Sequence, residues 1–140
     1  MKQAMIESGR AEYALRVVKA IADHKSIDNE TKKNYKSYCQ AFAGLVLSNG
    51  FAASVAFLKD KMGKSKAYTY LYEDITGWLR KNKHLGEQQE LEEYVCSLNS
   101  PEYRIVTREV IALYEWIRRF ASGLIKDDEP SSAKGGASEG

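Results

Sequence analysis

Apolar side chains recur along this chain at steps of three and four residues, and no stretch sustains the strict alternation of a half-buried strand. The pattern predicts an all-α protein, a single compact bundle of about six helices. The first helix is expected over residues 3–23. Ala11, Ala14, Val18 and Ile21 form its inner face, widened by Leu15 and Ala22, while Glu12, Arg16, Lys19 and Asp23 can pair along the outer one. Ser26, Asp28 and Asn29 offer side-chain oxygens to the free amides of a helix start, so a second helix begins there. It buries Tyr35, Tyr38, Cys39, Phe42, Leu45 and Val46 and stops at Asn49-Gly50, a pair that tolerates the left-handed turn of a helix C-terminus. Phe51, Val55 and Leu58 mark a shorter third helix, closed by the basic loop KDKMGKSK.

A fourth helix is expected over residues 66–82, with Tyr68, Leu71, Ile75, Trp78 and Leu79 inward. A fifth, short and acidic, covers 88–98 and turns Leu91, Val95 and Leu98 to the core. The sixth runs over 100–125, opening with Ser100 as N-cap, Pro101 at the first helical position and Glu102 near the positive end of the helix dipole. On it Tyr103, Val106, Val110, Leu113, Ile117, Phe120 and Leu124 form a heptad seam. Arg104, Arg108 and Arg119 then lie on the far side and Arg118 at the flank; Glu115, four residues before Arg119, is well placed to pair with it. The closing run DDEPSSAKGGASEG has no apolar residue larger than alanine, so burial cannot offset the entropy of ordering it. One helical domain over residues 1–126 and a disordered tail over 127–140 are therefore expected.

At 140 residues, 44% of them apolar and 29% charged, the chain can build one substantial core. Its longest apolar or small run, residues 41–47, falls far short of the roughly 20 residues a membrane span needs. The first 18 residues carry Glu7 and Glu12 and lack the apolar core of a secretory signal, so a cytoplasmic location without a membrane partner is expected. Cys39 and Cys96 each sit within an apolar helical pattern and read as small buried hydrophobes; His24 and His84 stand alone, so no metal site is expected. The net charge of +2 conceals an asymmetry, +6 over residues 1–66 and −4 over residues 67–140.

Phosphate-loop, zinc-protease and nucleophile-elbow motifs are all missing from the sequence. Glu73-Asp74 and Glu92-Glu93 are helix neighbours pointing about 100° apart, so both pairs read as solvated rather than as an acid and base facing one another. No catalytic residue, cofactor or small-molecule substrate is expected. The binding signals are basic. Lys59, Lys61, Lys64 and Lys66 surround a glycine with only Asp60 to offset them, which suits salt-sensitive phosphate contacts or simple solubility. Lys33 and Lys36 make a short stripe opposite Tyr35 and Phe42. Tyr70 is read as pointing away from the core beside Lys66, where it could stack on a base or anchor a protein partner. Arg104, Arg108 and Arg119 are available to a neighbouring subunit.

Three stretches, NGFAASVAFLKDK, AYTYLYEDITGWL and YRIVTREVIALYEWIRRFASG, taken in this order and spacing, closely resemble the small helical subunit of the type III-B CRISPR effector, the Cmr complex. The likeness covers residues 11–125. It implies a noncatalytic scaffold without a cofactor, several copies of which stack along repeated backbone subunits that hold the CRISPR RNA and cleave its target. Other Cmr subunits, neighbouring copies of the chain and CRISPR or target RNA would be its partners. Family-like positions include Gly50, Phe57, Lys61, Tyr68, Trp78, Leu79, Tyr103, Arg104, Thr107, Glu109, Trp116, Arg119 and Phe120, most of which read as architectural. Two other readings compete. One is a stand-alone DNA-binding regulator with helices three and four as a helix-turn-helix, which Glu73 and Asp74 in the recognition helix disfavour. The other is a helical-bundle enzyme or carrier with a cavity lined by Tyr35, Tyr38 and Trp78.

Overall fold

A computed structural model describes residues 2–126, with side chains from residue 9 onward. Its helices are α1 (Lys2–Ala22), α2 (Asn29–Asn49), α3 (Phe51–Lys61), α4 (Lys66–Lys81), α5 (Leu91–Ser97) and α6 (Ser100–Leu124), and no strand occurs among the described residues. The tail expected over 127–140 lies outside them.

Local chemistry sets the helix ends. Asp28 is the N-cap of α2: its Oδ1 accepts the Thr31 N–H at 3.1 Å, and hydrogen bonding from the Thr31 side chain first, then from this amide, holds its carboxyl below the usual aspartate range. Gly50, at φ 91°, is both the C-cap of α2 and the N-cap of α3, so a single residue makes the corner between them. The Tyr103 hydroxyl reaches this corner from α6 and accepts the Ala52 N–H at 2.9 Å, satisfying one of the free amides of α3. The cap of α6 is Asn99 rather than Ser100. Asn99 Oδ1 accepts the Glu102 N–H at 3.0 Å, and Glu102 returns the bond at 3.4 Å, a reciprocal box that places Pro101 in the first turn. Helix α5 starts later than expected, behind Glu90, because Glu90 and Glu93 form a second such box.

Helix α1 packs along α6, α2 lies against both α6 and α4, and α3 joins α2 and α4 to α5. The most enclosed element is α4. Ala67, Leu71, Tyr72, Asp74, Ile75, Thr76, Trp78 and Leu79 are all buried, an arc of about 200° around the helix. The α6 seam holds at Val106, Val110, Leu113 and Ile117, joined by fully buried Tyr114 and by Ala121; Tyr103 and Phe120 are half-buried and Leu124 is exposed.

On α1 and α5 one burial expectation each changes. On α1 the inner face is Tyr13, Ala14, Val18 and Ile21, a rotation that leaves Leu15 38% exposed. The cause is Tyr13, whose hydroxyl donates to the Asp74 carbonyl at 2.6 Å while its ring meets Trp78 at 5.0 Å. Cys39 is buried as expected, but Cys96 is exposed, because α5 turns Leu91, Tyr94 and Val95 inward and the next residue swings out.

Tyr13 fits only because position 77 has no side chain. A Cβ built on Gly77 would stand 2.5 Å from the Tyr13 hydroxyl oxygen, which is buried and hydrogen-bonded. Alanine is favoured over glycine inside a helix by about 1 kcal/mol, yet Gly77→Ala is expected to destabilise the protein by about 1–3 kcal/mol through this collision. Urea unfolding of the two proteins measures the difference.

Candidate nucleic-acid and partner interface

Three polar constellations organise the interior and decide which charges remain for the surface. The first centres on Asp74, which is 8% exposed although its place beside Glu73 suggested a solvated carboxylate. It shares a face with Leu71, Ile75 and Trp78 at helical spacing, and this face is turned into the bundle. The Tyr35 hydroxyl, from fully buried Tyr35 on α2, donates to Asp74 Oδ2 at 2.6 Å. Burial pushes the Asp74 carboxyl up to about 7, against the opposing pull of the Tyr35 hydrogen bond. Burial likewise raises the Tyr13, Tyr35 and Tyr114 phenols and the Cys39 thiol, so all four stay protonated around a neutral or half-ionised acid.

One turn further along α4, the Trp78 indole N–H donates to Glu109 Oε2 at 2.7 Å. Arg10 clamps the same carboxylate with its Nε and Nη2, each at 3.1 Å, so α1, α4 and α6 meet at Glu109. Burial would raise Glu109, but Arg10 and Trp78 outweigh it and hold the carboxyl below its ordinary range. The third constellation fastens α5. The Tyr72 hydroxyl donates to Glu92 at 2.6 Å and accepts the Leu91 N–H at 3.3 Å. Lys59 completes it, 3.4 Å from Glu92 and 5.0 Å above the Tyr72 ring.

These arrangements divide the predicted contact residues. Lys59 is committed to α5, and Lys36 donates to the Ile125 carbonyl at 3.1 Å, tying the end of α6 to α2. Lys61 lies over the Phe57 ring at 5.6 Å. Lys33, Lys64 and Lys66 are exposed. Amides of Lys64 and Ser65 both donate to the Lys61 carbonyl, at 2.8 and 3.1 Å, so Lys61, Lys64 and Lys66 share one tight corner between α3 and α4, while Lys33 stands apart on α2. On α6, Arg104 and Arg108 are exposed; Arg119 is exposed too, but lies 3.9 Å from Glu115 and 5.6 Å over Trp116. Glu115 is closer to Arg118, at 3.2 Å. Tyr70 does not point away from the core. It is half-buried, edge-on to Tyr35 at 6.4 Å.

The competing architectures fit these contacts poorly. The face of α4 left outside its buried arc carries exposed Glu73 in its middle, which would meet the phosphates of a DNA groove poorly. Tyr35 and Trp78 are packed into the core, whereas Tyr38 stacks on Tyr68 at 3.9 Å at the surface, so the three do not line a common cavity. Among the described residues, no helix is long and apolar enough to cross a membrane.

The fold is that of a small all-α protein with a lysine corner between α3 and α4 and an arginine-bearing α6. The family described as "CRISPR-associated protein (Cas_Cmr5)" matches residues 6–124. The chain is also similar to the crystal structure of a CRISPR-associated Cmr5 family protein from Thermus thermophilus, with 25% identity and a TM-score of 0.71 over 86% of this chain and 98% of that one. The chain belongs to the Cmr5 family, the small subunit of the type III-B Cmr complex.

Asp74 has a measurable signature. Its folded pKa, about 7, lies above the ordinary value of 3.8, so the folded protein keeps a proton that the unfolded chain releases. The resulting stabilisation is complete below the ordinary value and is lost as pH rises through about 7, a change of up to about 4 kcal/mol. Glu92 and Glu109 are shifted the other way and lose their contribution only in acid. Between pH 5 and 8 wild-type stability is therefore expected to fall, whereas Asp74→Asn, which preserves the Tyr35 hydrogen bond, is expected to be flat and the more stable of the two at pH 8. Denaturant midpoints across the series give the comparison.

Proposed function

We propose that this subunit is a noncatalytic scaffold of the Cmr complex in antiviral defence, stacking with neighbouring copies along the backbone subunits and helping to accommodate target RNA paired to the CRISPR RNA. The functional unit is the helical domain of residues 1–126, to which 127–140 is an appended tail, and it works in the cytoplasm. The observation that carries the reading is the corner of Lys61, Lys64 and Lys66 between α3 and α4, where Lys64 and Lys66 are exposed on the basic half of a chain whose other half is acidic. Such a cluster neutralises phosphates without reading sequence, as a subunit serving any target requires. Lys33 extends the same chemistry on α2. The exposed Arg104 and Arg108 on α6 are assigned to protein neighbours, with Arg119 and Tyr70 as supporting contacts. Lys36 and Lys59 contribute chiefly by holding α6 and α5 in place.

The triple variant Lys61→Glu, Lys64→Glu, Lys66→Glu tests this within the assembled complex. Lys59 is left intact because its loss would unfasten α5. Target-RNA affinity is expected to fall by about tenfold or more near physiological salt, with a shallower salt dependence by about two to three phosphate contacts, while the variant still co-purifies with the larger Cmr subunits and CRISPR RNA. Unchanged affinity across the salt series would refute the reading.

A further inference from the structure

A pocket of about 320 Å³ opens between α2, α3 and α4, and none of the residues of the Asp74, Glu109 and Tyr72 constellations lines it. On the α2 side its lining is small, Ala41 and Gly44, with Leu45 beside them. A Cβ built on Gly44 meets no atom within 4 Å, so the space above this glycine is open. The side formed by α3 and α4 is aromatic. Phe57, 37% exposed, meets Tyr68 edge-on at 5.6 Å, and Tyr68 stacks on Tyr38 at 3.9 Å. Near the end of α2, exposed Ser48 and Asn49 add a hydroxyl and an amide to the lining. No charged side chain lines the pocket, but Lys61 stands at its edge with Nζ 5.6 Å from the centre of the Phe57 ring. At about 100° per residue, Lys61 falls between Phe57 and Leu58, the two α3 residues of the lining, whereas Asp60 lies about 100° further round the helix.

We propose that this pocket receives an unpaired base of the RNA strand whose phosphates lie along the lysine corner; the inference deepens the RNA reading of that corner and rests on it. The parts of the pocket correspond to those of a nucleotide. The flat apolar faces of the base fit between the Phe57 wall and the small residues of α2, its polar edge meets the Ser48 hydroxyl and the Asn49 amide, and its phosphate stays outside against Lys61. Lys61 is the hinge of the arrangement, because it borders the pocket through Phe57 and its carbonyl accepts the Lys64 amide that shapes the corner. An aliphatic side chain from a partner protein would fill the apolar part alone and leave the hydroxyl, the amide and the bordering cation without a role. The pocket accepts any base, since its walls offer stacking area rather than a fixed pattern of donors and acceptors.

Amide NMR of the full chain, titrated with a short oligo(A) and with the same ribose-phosphate chain lacking its bases, tests the pocket without the Cmr complex. Both probes are expected to shift Lys61, Lys64 and Lys66, but only oligo(A) to shift Gly44, Leu45 and Phe57, and the baseless chain to bind about tenfold more weakly. Gly44→Leu fills the open space from within a helix that tolerates it, and Phe57→Ala removes a half-exposed wall. Each is expected to bring oligo(A) affinity down to that of the baseless chain and to leave the latter unchanged, with circular dichroism and a melting curve confirming the fold. Equal affinity for the two probes, no shifts at Gly44, Leu45 and Phe57 in millimolar oligo(A), or undiminished oligo(A) binding in a folded variant overturns the proposal. Shifts of the pocket residues that grow with protein concentration in the absence of RNA identify another protein surface as the occupant and overturn it as well. The triple lysine variant, measured in the complex, separates the two readings: if it still loses target RNA while the pocket fails, the corner stands without the pocket, and if it loses none, the corner falls whatever the pocket shows.

Discussion

A carboxyl group inside an apolar bundle must find partners or give up its charge, and Asp74 does some of each. Tyr35 from α2 donates to its side chain and Tyr13 from α1 donates to its main chain, so three helices are fixed to one another at a single level of α4. One turn on, Trp78 hands the same helix to Glu109 of α6, and Glu109 in turn is clamped by Arg10 of α1. Apolar surfaces alone tolerate small slides between helices. Two polar levels one turn apart do not, because any slide leaves a buried donor or acceptor without a partner. The absent side chain at Gly77, the rotation of α1 and the enclosure of α4 all follow from accommodating these contacts.

The surface inherits what the interior leaves over. Four of the basic residues that look interchangeable in the sequence are separated by their surroundings: Arg10, Lys36 and Lys59 serve joints between helices, while Lys64 remains exposed. The basic corner is thus narrower than the charge count implies, and it is anchored on a turn whose amides converge on the Lys61 carbonyl. This leaves the molecule with a lysine corner between α3 and α4 and an arginine-bearing α6.

Much of this architecture was legible in the sequence, and where it was not, the reasons are physical. Helices α2 and α6 combine long apolar periodicity with terminal chemistry at Asp28 and Gly50 or at Pro101 and Glu102, and these local signals bound them, with the cap of α6 one residue earlier, at Asn99, than the expected Ser100. Helix α5 has only seven residues, too few to fix a phase, so Cys96 was turned the wrong way. Asp74 was misread by its charge although its spacing from Leu71, Ile75 and Trp78 marks a core position; three buried phenols, each in want of an acceptor, were a further sign. Tyr70 was misplaced because α4 packs more than a single stripe against its neighbours, and the Tyr70 ring meets Tyr35 edge-on. The Arg10–Glu109 pair spans 99 positions and leaves no trace in local pattern. Lysine exposure could be anticipated, but the attachment of Lys59 to α5 and Lys36 to α6 depends on tertiary approach alone.

Seven residues cannot sustain a helix in water, so α5 exists only while docked. Its moorings are the Leu91, Tyr94 and Val95 side chains and the cluster of Tyr72, Glu92 and Lys59. It therefore forms a small cooperative unit that opens before the rest of the bundle, at a free energy below that of global unfolding. Opening carries Glu92 away and strips Lys59 of its counter-ion at the end of the helix that leads into the basic corner. The acidic helix is in this sense a tethered competitor for one of the protein's cations, and any neighbour that draws it off the surface adds a free positive charge beside Lys61, Lys64 and Lys66.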